Sequence, residues 1–216
     1  MNYTGDVLHF GLAAEKAKAA GMNVEMVVVA DDVGVGREKS GKVGRRGIAG
    51  TVLVHKISGA LAATGASLSE VSALAALVAG NIVSVGSSLA HVHVPGRVMS
   101  PDDDNASLRP DEIEIGMGIH NEQGYKRVKI PELPELVKLL LGQLLDKEDQ
   151  DRNYLGDAQT AEGWVLMVNN LGGVSPLEMG GITTEVVKQL GGLPPLLANE
   201  FLAISINHMA RFVLFY

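Results

Sequence analysis

A chain of 216 residues, 46% hydrophobic and 20% charged, with a mean hydropathy of +0.17, can bury one large core or two small ones and is too apolar for a disordered tail. A formal net charge of -7 provides no broad basic surface for a nucleic-acid backbone or anionic lipid, so neither is an expected partner. The absence of cysteine excludes disulfides and thiolate zinc sites, and no basic-then-apolar leader or run of about 18 apolar residues occurs, so a cytoplasmic location is expected.

In chain order, VLHFGLAAEKAKAAG (7–21) is rich in alanine and long side chains and closes on a glycine, which predicts a helix. NVEMVVVADDV (23–33) predicts a buried parallel strand running into two aspartates at its functional end. GVGREKSGKVGRRGIAGT follows with six glycines and five basic residues, then an amphipathic helix, VLVHKISGALAATGA. SLSEVSALAALVAGNIV opens on a serine placed to cap a helix with Glu70. NIVSVGSSLAHVHVP and DEIEIGMGIH alternate at period two and predict strands of a second sheet, separated by the soft linker MSPDDDNASLRP. PELPELVKLLLGQLLDKE predicts a helix with proline in its first turn, and GWVLMVNNLGGVSPLEMGGITTEVVKQLGG a strand, a glycine turn and a helix. The expected fold is α/β, two-lobed, with mixed sheets and flanking helices: a first lobe over 1–80, a second over 81–198, and an atypical tail over 199–216.

Two motifs invite a functional reading. GREKSGKV (36–43) nearly matches the phosphate-cradling G-x-x-x-x-G-K-[ST], but Val43 stands where the metal-binding hydroxyl belongs, and Arg37, Arg45 and Arg46 add charge that such a loop does not need. A flexible, solvated basic loop, or one that meets an acidic partner surface, is the better expectation. His91 and His93 share one strand face and could offer two imidazoles to a metal, yet no third ligand is near. His9 and His55 fall within helices, where packing or capping contacts are expected. No nucleotide-binding or metal-ligating residue is assigned.

IEIGMGIHNEQG (113–124) is the more informative stretch. Gly116 and Gly118 strip side chains from the approach to His120, which would let a small ligand or another backbone come close. Asn121 and Glu122 supply polar partners able to fix an imidazole tautomer or a substrate hydroxyl. These residues alone leave His120 equally readable as a functional group or a structural turn histidine.

NYTGDVLHFGLAAEKAKAAGMNVEMVVVADDV, VGRRGIAGTVLVHKISGA, GSSLAHVHVPGR, IEIGMGIHNEQG and VNNLGGVSPLE, taken in order, resemble the substrate-binding K domain of ATP-dependent dihydroxyacetone (glycerone) kinases of the fungal single-chain type, over residues 2–197. The resemblance implies that His120, the histidine of GMGIH, attacks the carbonyl of dihydroxyacetone or a similar short-chain ketose or aldose and holds it as a covalent hemiaminal. It implies that Asp6, the aspartate of NYTGD, contacts the substrate hydroxyl and helps its proton leave. It further implies a phosphotransferase acting on an alcohol, with ATP and magnesium supplied by a helical L domain, and a homodimer.

The chain departs from the family pattern in several places. Met1 stands where the family has a substrate-contacting lysine, and the family's glycine-rich loop with a second catalytic histidine has no counterpart. HNEQG replaces a turn that commonly carries proline, and FLAISINHMARFVLFY replaces the family's closing strands. The expectation is therefore a fragment lacking the N-terminal part and the L domain, with both lobes incomplete. The alternative is a catalytically inactive carbonyl-binding or interaction module derived from such a kinase.

Overall fold

The computed structural model describes residues 1–89, 95–96, 108–156, 163–191 and 210–215. Its helices are α1 Thr4–Ala19, α2 Gly36–Ser40, α3 Gly50–Ala63, α4 Leu68–Gly80, α5 Leu133–Leu145 and α6 Pro176–Gln189. Its strands are β1 Ile82–Val85, β2 Ser87–Ser88, β3 Glu112–Ile115, β4 Lys126–Lys129, β5 Gly163–Val168 and β6 Ala210–Phe215. The mixed α/β class expected from the sequence is what the chain adopts. No helix among the described residues is long and apolar enough to cross a membrane.

A parallel sheet in the order β1-β6-β5 forms the middle layer. Its strands alternate by face as a period of two requires. Ile82, Val165 and Met167 meet Leu53, Val54, Ala75 and Val78 of α3 and α4 on one side. Val83, Val85, Leu166 and Val168 meet Val137, Leu140, Leu141 and Leu144 of α5 and Val186 of α6 on the other. Covering both faces is why β1 and β5 read as nearly continuous apolar runs. The antiparallel sheet β2-β3-β4 adds Ile113 and Ile115 to the second core, and β3 pairs with β4 from Glu112↔Lys129 to Ile115↔Lys126.

Local signals set most helix ends. Ser67 and Glu70 close a capping box on α4, Ser175 and Glu178 close another on α6, and a proline sits in the first turn of both α5 and α6. The tail read as atypical supplies β6, which pairs with β1 on one side and β5 on the other.

Two expected elements differ from the structure. The first helix starts at Thr4 rather than at Val7, so Asp6 lies in its first turn, where a carboxylate favours the helix dipole. The expected strand 23–33 forms no ladder among the described residues. Its backbone pairing is confined to 29–33: the Asn2 amide donates to Val29 O, the Asp32 amide to Arg46 O, the Ser84 amide to Asp31 O and the Val33 amide to Ser84 O, and Asp32 bridges Ser84. A β-branched run supplies the propensity, but ladder hydrogen bonds require a neighbour along its whole length.

Candidate functional site

The site is built where β3 ends. Gly116 leaves the extended region with a φ of +75°, and its backbone lies against Gly34, where an added Cβ would sit 2.7 Å from the Gly116 Cα. Here the bare glycine faces another backbone, one of the two occupants its sequence pattern allowed. The chain then folds back: the Gly118 amide donates to Glu122 O at 2.9 Å, the Asn121 amide to Gly118 O at 3.2 Å, and the Tyr125 amide to Ile115 O at 2.7 Å. Asn121 takes a φ of 63°, a conformation its short polar side chain tolerates. The base of the turn is fastened to Glu114, a buried carboxylate that accepts from the Gly124 amide at 2.7 Å and from Arg127 Nε at 3.1 Å.

His120 stands at the tip with its side chain 61% exposed. Glu122 grips it twice, accepting the His120 amide on Oε2 at 2.9 Å and meeting Nδ1 with Oε1 at 2.7 Å. An ionised carboxylate only accepts, so this contact places a proton on Nδ1, and in the neutral imidazole that leaves the lone pair on Nε2. Partial burial opposes ionisation of Glu122, but the His120 amide and imidazole together hold its carboxyl below the ordinary glutamate range. The Tyr3 ring meets the imidazole edge-on, with centroids 4.7 Å apart and planes at 87°.

Behind the turn lies a fork of charge. Arg46 places Nε and Nη2 on Asp32 Oδ2 at 2.6 Å, Nη2 on Gly116 O at 2.5 Å, and Nη1 on Glu122 O and Gln123 O at 3.5 Å each. Burial pushes the Asp32 carboxyl up, against the pull of Arg46 and of the Gly34 amide, which donates to Oδ1 at 2.8 Å. The N-terminal residues close over the same region: the Asn2 side chain donates to Val43 O at 2.9 Å and Arg45 O at 2.6 Å, and its amide donates to Val29 O at 2.9 Å.

The residues singled out in the sequence divide accordingly. Asp6 is half-buried, one turn beyond the Tyr3 that touches His120. His9 and His55 are exposed on α1 and α3 rather than packed. His91, His93 and the metal reading attached to them lie outside the described residues. Among the described residues no group of three or more histidine, cysteine or carboxylate side chains is placed to hold a metal ion.

The basic loop is neither fully solvated nor turned to a partner: it packs against residues 150–154 of its own chain. The Glu38 amide donates to Asp151 Oδ1 at 2.8 Å, the Arg37 amide to Asp151 O at 3.1 Å, and the Arg37 guanidinium to the carbonyls of Gln150 and Asn153. Arg37 and Arg45 both stack on the Tyr154 ring, at 3.9 and 4.1 Å. A carboxylate thus takes a loop amide that a nucleotide phosphate would need, and residues 36–40 are wound into α2. This loop does not fit ATP with magnesium.

Sequence reasoning gave Asn2, Tyr3, Asp32 and Arg46 no role at this site, although it placed the two aspartates at a functional end and counted Arg46 among the charges of the basic loop. The paired aspartates and paired arginines, each beside a glycine-rich stretch, were the available signal.

A family model described as the Dak1 domain matches residues 1–193. A dihydroxyacetone kinase of Pichia angusta is 55% identical over 199 residues, which is 88% of this chain and 32% of that protein. The human protein named triokinase/FMN cyclase is 43% identical, again over 88% of this chain and 32% of its own length. This chain therefore spans about a third of the length of those relatives. Among solved structures, the dihydroxyacetone kinase of C. freundii in its native form superimposes with a TM-score of 0.72 at 39% identity, covering 87% of this chain and 31% of that one. The same kinase has been solved in complex with AMP-PNP and Mg2+. A dihydroxyacetone kinase operon co-activator gives a TM-score of 0.72 at 28% identity over 99% of this chain and 58% of its own.

Proposed function

This chain belongs to the Dak1 domain family, and from that premise we propose that it is the substrate-binding K domain of a dihydroxyacetone (glycerone) kinase with His120 as the covalent anchor. The observation that carries the reading is the Nδ1 contact with Glu122. With that proton fixed, Nε2 presents its lone pair to a carbonyl carbon. The N–C bond forms, the carbonyl π bond opens, the oxygen gains a proton, and Nδ1 releases one toward Glu122. Nothing leaves, so the adduct has the summed mass of its parts. Capture through a carbonyl favours a short ketose or aldose over glycerol, which has none, and fixes the terminal hydroxyl for transfer.

Asp6 takes the proton from that hydroxyl in this reading, from its place on α1 one turn past Tyr3. ATP and magnesium come with a separate L domain, because the basic loop is not shaped for them. The test is to titrate carbonyl-labelled 13C-dihydroxyacetone into the protein and watch the ketone carbon convert to a tetrahedral one. His120→Ala is expected to abolish the converted signal, and its persistence in that variant would defeat the assignment.

The likeness to the operon co-activator, which spans nearly all of this chain, favours a second reading: a carbonyl-binding interaction module without catalysis. An adduct that forms on His120 but yields no glycerone phosphate with any ATP-loaded L domain would select it.

A further inference from the structure

We propose that Arg46 is a positioning residue that sets the aim of His120, an inference that rests on the reading of His120 as the carbonyl-capturing group. Gly116 precedes His120, and Glu122 and Gln123 follow it, so one planar guanidinium donates to Gly116 O at 2.5 Å on one side of the turn and reaches Glu122 O and Gln123 O at 3.5 Å on the other. The guanidinium is anchored from behind, with Nε and Nη2 on Asp32, which is 4% exposed and has its other oxygen engaged by the Gly34 amide. Gly118 leaves the room: an added Cβ there would stand 2.7 Å from Arg46 Nη1 and would also collide with the Glu122 carboxylate.

The chain thereby couples a buried anchor to an exposed nucleophile through a rigid fork. A lysine at 46 could keep the charge beside Asp32, but a single ammonium cannot span carbonyls on opposite sides of the turn. Covalent capture demands that Nε2 meet the carbonyl carbon along a narrow approach. A shift of about 1 Å in the turn is therefore expected to weaken adduct formation on the order of tenfold to a hundredfold.

The test uses the full chain with carbonyl-labelled 13C-dihydroxyacetone, titrated into the wild type, Arg46→Lys, Gly118→Ala and Lys42→Met. Thermal unfolding and the backbone carbonyl resonances of Gly116, Glu122 and Gln123 are recorded for each. Lys42 is an exposed side chain of the same loop, so Lys42→Met is expected to bind as the wild type does. Arg46→Lys is expected to stay folded, lose affinity and shift those three resonances. Gly118→Ala keeps the Arg46–Asp32 pair but puts its methyl against Glu122 Oε2 as well as 2.7 Å from Arg46 Nη1. It is expected to lose affinity, even if Arg46→Lys fails to fold, while the ring 15N shifts of His120 still report Nδ1–H. A loss that comes with a changed tautomer belongs to Glu122 and counts against Arg46. Unchanged affinity in either folded variant overturns the role of Arg46. Absence of an adduct in the wild type overturns the reading of His120 itself, which separates the two failures.

Discussion

At the scale of single residues, Glu122 carries a pH signature. Its folded carboxyl titrates below the ordinary glutamate range, so between the two values the unfolded chain binds more protons than the native one. The stabilisation is complete above the ordinary range and is lost as pH falls through the depressed folded value. Glu122 is 35% exposed, so screening holds the effect to about 0.5 kcal/mol or less. Glu122→Gln should flatten that acid limb slightly in pH-dependent unfolding. A clearer readout is the imidazole itself: ring 15N shifts should report Nδ1–H for His120 in the wild type and a mixture of tautomers in Glu122→Gln. A wild-type-like spectrum from the variant would show that Glu122 does not choose the tautomer. His120 and Glu122 were legible in the sequence because they lie two positions apart within one turn. Arg46 was not, because its carbonyl partners lie more than a whole helix away along the chain and only folding brings them together.

At the scale of elements, α3 shows a cap supplied from outside the helix. Its N-cap residue, Ala49, has no side-chain oxygen. The fully buried Asp31 instead accepts from the Ile48 amide at 2.7 Å and the Gly50 amide at 2.8 Å, while the Ser84 hydroxyl donates to its Oδ2. One carboxylate therefore joins the start of α3 to β1. Asp31→Ala would leave two amides and a hydroxyl buried without partners, a loss of roughly 3 kcal/mol or more, read as a lower urea midpoint. An unchanged midpoint would refute the remote cap. Helices α4, α5 and α6 were legible from serine–glutamate spacing and proline, which act within one turn. The 23–33 segment was misread because its apolar residues reveal burial and not a pairing partner.

At the scale of the whole molecule, burial is uneven. No side chain of α1 is buried, and Leu8, Phe10 and Leu12 are exposed, as are Met26 and Val28 in the segment beyond it. Helices α3 and α4, by contrast, close one face of the sheet. Amide hydrogen exchange should therefore be fast in α1 and 22–28 and slow in α3, α4 and α5, with the boundary near residue 30 rather than at the end of α4. Equal protection of α1 and α5 would contradict this. The parallel sheet has a further consequence in time. Its middle strand, β6, is the last of the three to be made, and Ile82 must wait for Phe212 as a neighbour. On the ribosome, β1 and β5 emerge with no partner between them, both carrying apolar side chains and unsatisfied edges. A nascent chain paused before residue 210 should be bound by chaperones, and release of the β6 segment from the exit tunnel should end that binding in one cooperative step.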